Sequence, residues 1–134
     1  LFRAEDQNKK VFAIETPGEQ VSIFSDAEDS LGVRYLKNTL DEITHADSLI
    51  TEIANAWKCG DVPKMQRIFA MDKTDADYEE ALYTKRNLRM AESIDSLATA
   101  GEKAFIVVGA AHLVGSGDNV LRLLEKKGYR IRQR

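Results

Sequence analysis

"FIVVGAAHLVGSGDNVLRLLEKKGY", from Phe105 to Tyr129, is the stretch whose reading decides the fold. Extended back by two residues, its opening reads "KAFIVVG", a β-branched apolar run of the length expected for a buried strand. A glycine-flanked loop follows, and it holds one of the chain's two histidines, His112. Ser116 or Asp118 can cap a helix through Leu124, Gly128 can stop it, and Tyr129 to Arg132 alternates apolar and basic residues like a last short strand. Strand, helix and strand in succession imply a right-handed parallel crossover, so the stretch predicts a sheet covered by helices.

Upstream, "KKVFAIET" (Lys9 to Thr16) is another short apolar run closed by turn chemistry, and it reads as a strand. It hands directly to a helix: Thr16 can be the N-cap, Pro17 suits the first helical position, and Glu19 completes a Thr-x-x-Glu capping box. From about Glu28 to Lys58 apolar residues recur at helical spacing, with Leu36, Leu40, Ile43, Ile50, Ile53 and Trp57 on one stripe. Gly60 ends that helix, and Asp61 can cap the next, which carries Val62, Met65, Ile68 and Phe69. Thr74 with Asp77 offers a further capped start for a helix reaching about Ala100. The expected order is β-α-α-α-α-β-α-β, a single α/β domain (or α+β) with a mixed or parallel sheet.

A length of 134 residues with 43% hydrophobic content suits one domain with its own core. A net charge of -3, with 31% charged residues, offers no broad basic surface and argues against nucleic acid as a partner. Cys59 is the single cysteine, which excludes an internal disulfide and a cysteine-rich metal site. No apolar run approaches the roughly 20 residues of a membrane-spanning helix. The chain begins at Leu1 and soon enters an apolar run, so further sequence upstream is expected.

Four polar residues stand out against apolar patterns. On the helix reaching Ala100, Tyr78, Leu82, Met90, Ile94 and Leu97 form a stripe, and Arg86 continues its spacing with Asn87 beside it. An inward guanidinium stays charged, so it needs an anion to offset several kcal/mol of desolvation, unless it snorkels out at the core edge. Glu15 lies at the carboxyl end of the first apolar run, where α/β proteins place ligands; there it is paired, reactive, or part of the helix cap. His112 follows the second apolar run, among Gly109, Gly115 and Gly117, which allow positive φ and close backbone approach. A neutral imidazole there can bind a metal or transfer a proton.

Other patterns fit known chemistry poorly. "GSGDN" before a helix suggests a phosphate loop, yet it lacks the P-loop lysine, and Asp118 repels phosphate. Glu42 and His45 have the Glu-x-x-His spacing of carboxylate-bridged metal sites without a second copy, which reads as a solvated helix face. The acidic stretch "DKTDADYEE" lacks the turn glycine of a calcium loop and reads as the start of a helix. No nucleophile elbow and no His-Glu-x-x-His occur.

Together, "IETPGEQ" (Ile14 to Gln20), "AWKCGD" (Ala56 to Asp61), "KRNLRMAESI" (Lys85 to Ile94) and "VVGAAHLVGSGDNVLRLLEKKGYRI" (Val107 to Ile131) resemble the TraB/PrgY/GumN family, which includes the Tiki metalloproteases. The resemblance covers nearly the whole chain and implies a Tiki/erythromycin-esterase-like half domain. In the family, two Gly-x-x-His motifs flank an acidic residue and an arginine. Gly109 to His112 matches the second such motif, Glu15 the acidic position, and Arg86-Asn87 the Arg-Asn motif. The first Gly-x-x-His finds no match, so the chain is expected to be the C-terminal part of a larger member.

The resemblance implies a fragment of a metal-dependent, peptidase-like hydrolase. His112 and Glu15 would be metal ligands (manganese, cobalt or zinc) or acid-base groups, Arg86 a catalytic or substrate-binding charge, and Asn87 and Gly109 substrate contacts. With two ligands, little metal affinity or activity is expected from this chain alone. The alternative is a module that binds a peptide, such as a pheromone, without cleaving it. Full-length bacterial members look envelope-associated or periplasmic. A half domain would leave a strand edge open, which predicts a homodimer through exposed or exchanged strands.

Overall fold

The computed structural model describes residues 2–25, 29–70 and 79–134. Its helices are α1 (Phe2–Glu5), α2 (Pro17–Ser25), α3 (Asp29–Glu42), α4 (Ala46–Cys59), α5 (Val62–Ala70), α6 (Lys85–Thr99), α7 (Ala110–Val114) and α8 (Val120–Lys126). A 3-10 turn (Ile43–His45) joins α3 to α4, and a π turn (Glu80–Thr84) leads into α6. Two clusters form the core. Met90 and Ala91 of α6 pack on Val120, Leu123 and Leu124 of α8, while Ala56 of α4 meets Met65 of α5 and Val114 of α7.

Local signals set several boundaries. Thr16 and Glu19 form the capping box, with the Thr16 N–H donating to the Glu19 carboxylate at 2.7 Å and the Glu19 N–H to Thr16 Oγ1 at 3.2 Å. Gly60 closes α4 at φ 64°, a left-handed conformation that costs glycine little. The Asp61 carboxylate then accepts the Lys64 N–H at 3.0 Å and so caps α5. The expected capped start at Thr74 and Asp77, Tyr78 of the apolar stripe, and most of "DKTDADYEE" lie outside the described residues.

Asn119, and neither Ser116 nor Asp118, caps α8. Its carboxamide oxygen accepts the Arg122 N–H at 2.9 Å, and its amide donates to the Gly115 carbonyl at 2.8 Å. Asp118 is held elsewhere, by Lys126 at 2.7 Å. Asn119 is buried, and the helix it caps carries the fully buried Val120. Replacing Asn119 with alanine is expected to lower stability by about 1–2 kcal/mol in urea unfolding, and an unchanged midpoint would refute the role of the cap.

The α/β expectation is overturned: the described residues contain helices and no strand. All three predicted strands run as irregular chain without ladder bonds, the first with a bend at Ile14 and Glu15, and the non-helical backbone hydrogen bonds are local turns and caps. The period-two pattern is still there on one side, since Ile14, Val108, Tyr129 and Ile131 rest on the α6–α8 cluster. On the other side Phe105 is 95% exposed and Val107 77% exposed. One face of Phe105–Val108 and of Tyr129–Arg132 is therefore turned to the helices, whereas the first run packs Ile14 and leaves Phe12, two positions away, 70% exposed. A strand also requires a neighbour to receive its N–H and C=O groups, and alternation cannot supply one. With no strand formed, the described residues offer no strand edge for the expected dimer.

The predicted single helix from Glu28 to Lys58 is also corrected, being interrupted at Ile43–His45 by the 3-10 turn. Its stripe is not core: Leu36, Leu40, Ile43, Ile50 and Trp57 are exposed, whereas Ile53 packs inward beside Ala56.

Candidate functional site

Arg86, Asn87 and His112 are brought together where α6 passes α7, and Glu15 joins them from a bend just before α2. Arg86 grips Glu15 with a two-pronged ion pair, Nε to Oε1 at 2.6 Å and Nη2 to Oε2 at 2.7 Å. The remaining nitrogen, Nη1, donates to the Leu82 carbonyl in the π turn at 3.0 Å. Both side chains are largely buried, 14% and 8% exposed for Arg86 and Glu15. The guanidinium bonds hold the Glu15 carboxyl below its ordinary range against the opposing effect of burial, and the same bonds raise Arg86. Of the readings open for Glu15, the structure selects the paired one. The capping is done by Glu19, which also binds Arg89 at 2.9 Å and ties α2 to α6.

His112 is held by Asn87. The Asn87 amide donates to the backbone carbonyl of Asp118 at 3.0 Å, which turns its Oδ1 to His112 Nδ1 at 2.7 Å. A carboxamide oxygen only accepts, so Nδ1 carries the proton and Nε2 keeps the lone pair. His112 is 6% exposed and Asn87 5% exposed. Burial lowers the His112 pKa, Arg86 lowers it further, and the negative Glu15 opposes them, so the ring is neutral at pH 7. Tyr83 tilts against it with ring centroids 5.6 Å apart.

Gly109 starts α7 with an extended backbone, and its carbonyl accepts the His112 N–H at 3.0 Å. None of Gly109, Gly115 and Gly117 takes positive φ, contrary to expectation. Gly115 does allow close approach, because a Cβ there would stand 2.7 Å from the Ala111 carbonyl oxygen. The phosphate-loop reading loses two of its donors, because the Gly115 N–H is bonded to the Ala111 carbonyl and the Asn119 N–H to the Gly117 carbonyl, each at 2.9 Å. His45 and Cys59 are exposed at the ends of helical segments and outside the cluster.

Sequence reasoning singled out the four polar residues and missed three of their supports. The Asp118 carbonyl orients Asn87, Tyr83 tilts against His112, and the π turn presents the Leu82 carbonyl. Tyr83 had a usable signal, since it lies one helical turn before Arg86 and Asn87. Irregular π turns recur at functional sites because they re-aim side chains, but they leave no clear sequence mark.

The donor set does not fit a complete catalytic metal centre. No group of three or more His, Cys, Asp or Glu side chains converges among the described residues. His112 Nε2 suits a metal ligand whose other nitrogen is oriented by a hydrogen-bond partner, but both oxygens of Glu15 already accept from a cation.

A family model described as the TraB/PrgY/gumN family matches residues 2–133. No curated protein and no solved structure matches the chain. Among the described residues no helix is long and apolar enough to cross a membrane.

Proposed function

The chain belongs to the TraB/PrgY/gumN family, and from that premise we propose that it carries the proton-transfer part of a peptidase-like hydrolytic site centred on His112. The observation that carries this reading is the state of the imidazole, which is buried, neutral and fixed by Asn87 as the Nδ1–H tautomer with Nε2 unpaired among the described residues. Nε2 accepts a proton from the water that attacks the peptide carbonyl and returns it to the leaving amine. Arg86 acts as a fixed positive field, since three of its five N–H donors, one on each nitrogen, are engaged by Glu15 and Leu82. Gly109 lies beside the ring, where a Cβ would stand 3.6 Å from His112 Cδ2.

Manganese, cobalt or zinc would require ligands beyond His112 and Glu15, and no step of this reading runs through a metal. The alternative, a module that retains peptide without cleaving it through an Arg86 clamp, is weakened by that same engagement of every Arg86 nitrogen. Incubating the protein with a mixed peptide library, with and without divalent metal, and following it by mass spectrometry separates the two. Cleavage that falls by about 100-fold or more in His112→Ala supports the proton-transfer role. Cleavage equal in both proteins removes His112 from it, and peptide retained intact favours the binding module.

A further inference from the structure

The exposed stripe of α3 and α4 follows a strict seven-residue repeat. Val33, Leu40, Asp47 and Ala54 occupy one core position of the repeat, a. Leu36, Ile43, Ile50 and Trp57 occupy the other, d, so the spacing alternates three and four from end to end. A helix packed on its own domain shows a broader stripe with a period nearer 3.6, and that stripe is buried. Here the six large apolar residues are each 55–66% exposed, and among the described residues α3 makes extensive contact only with the 3-10 turn that follows it.

The 3-10 turn helps to keep the seam on one face. A straight α-helix falls behind a seven-residue repeat by about 20° per heptad, roughly 70° over this length. At three residues per turn, Ile43 and Thr44 each recover about 20°, roughly half of the deficit, before His45 leaves the helical conformation at φ -110° and ψ 1°.

We propose that this α3–α4 face pairs with the same face of a second copy of the chain as an antiparallel two-helix coiled coil. Three observations select that occupant. Charge is the first, because the flanking e and g positions carry no acidic residue and only Lys37 and Lys58 as cations. Two cations roughly 30 Å apart along a helix make no continuous charged rail for an acidic partner, and self-pairing in this register sets Lys37 against the partner's Thr51, so no like charges meet.

Shape is the second. Parallel pairing would press Asp47 against the partner's Asp47, whereas an antiparallel register centred near His45 separates them. That register puts Leu36 against the small Ala54 of the partner subunit, Val33 against the partner's Trp57, and Leu40 against the partner's Ile50. Beside Ala54 and Trp57 an apolar cavity of about 340 Å³, walled also by Ile50, Ile53, Met65 and Ala110, has room for the incoming leucine. Area is the third. Six seam residues at roughly 100 Å² each hide about 600 Å² per copy, and their flanks bring this near the roughly 800 Å² per partner of a stable interface.

Sedimentation velocity on the whole chain is the test. A dimer is expected at micromolar concentration, and Leu40→Glu with Ile50→Glu, at positions exposed in the single chain, should give a monomer of unchanged helicity. Asp47→Leu removes the one charge from the seam and should tighten the dimer by about 10-fold even if the double variant fails to fold. In a Cys59→Ser background, Leu36→Cys with Ala54→Cys should form an intermolecular disulfide, whereas Leu36→Cys alone should not. A wild-type monomer overturns the proposal, as does an Asp47→Leu dimer that is no tighter. Cross-linking by Leu36→Cys alone overturns the antiparallel register.

Discussion

Arg86→Ala is expected to lower the stability of the chain by about 3 kcal/mol at pH 7, the usual range for breaking a largely buried ion pair. The cost is dominated by what remains: Glu15 loses both charge-assisted bonds while its side chain stays only 8% exposed. In a domain of this size that corresponds to a fall of about 10 °C in Tm. Arg86→Lys should recover only part of the loss, because an ammonium cannot reproduce the two parallel bonds at 2.6 and 2.7 Å. Removing both charges with Glu15→Leu and Arg86→Met should cost less than Arg86→Ala alone, since no charge is then left without a partner.

The effect has a defined pH dependence. Glu15 has its folded pKa lowered, chiefly by its bonds to Arg86, so the unfolded chain binds its proton first as pH falls. The contribution is fully present above the ordinary carboxylate range and is lost as pH falls through the lowered, folded value. Urea unfolding followed by circular dichroism should therefore show the wild type and Arg86→Ala converging in acid and separating at neutral pH. A difference below about 1 kcal/mol at pH 7 would reduce the pair to a surface contact.

Asn87→Leu is expected to cost about 2–3 kcal/mol and to release His112. The substitution keeps the volume but leaves the buried His112 Nδ1–H unpaired and removes the donor to the carbonyl of the exposed Asp118. The diagnostic readout is the imidazole. Nitrogen NMR of the wild type should show His112 in the Nδ1–H tautomer, and in Asn87→Leu a mixture of the two tautomers. A pure Nδ1–H tautomer in the variant would show that something other than Asn87 orients the ring.

His112 adds its own linkage. Its folded pKa is lowered, first by burial and then by Arg86, so below the ordinary histidine value the unfolded chain holds a proton that the folded chain does not. Stability should decline as pH drops from that value toward the folded one and level off beneath it. This component should vanish in His112→Ala, while the carboxylate component at lower pH persists.

The sequence by itself determined what depends on neighbours a few residues away. The Thr16–Glu19 box, the Gly60 terminus and the Asp61 cap close over three or four residues, and all three form as read. The site residues were legible for a related reason. Glu15, Arg86, Asn87 and His112 interrupt or end apolar patterns, and a polar group in such a place must find a partner. The chain's family was legible in the same stretches.

Tertiary structure alone decided the choices between competing partners. Asn119 became the α8 cap because Lys126 holds the side chain of Asp118 and Asn87 binds its carbonyl. His112 could equally have met Glu15, until Arg86 occupied both carboxylate oxygens and Asn87 took the imidazole. Strand pairing failed for the same reason: the apolar runs Lys9–Thr16 and Phe105–Val108 and the alternation in Tyr129–Arg132 favour burial, but a ladder depends on a second strand brought alongside from elsewhere in the chain. Those segments found helices α6 and α8 on one side and no strand beside them, and only the assembled chain could decide that.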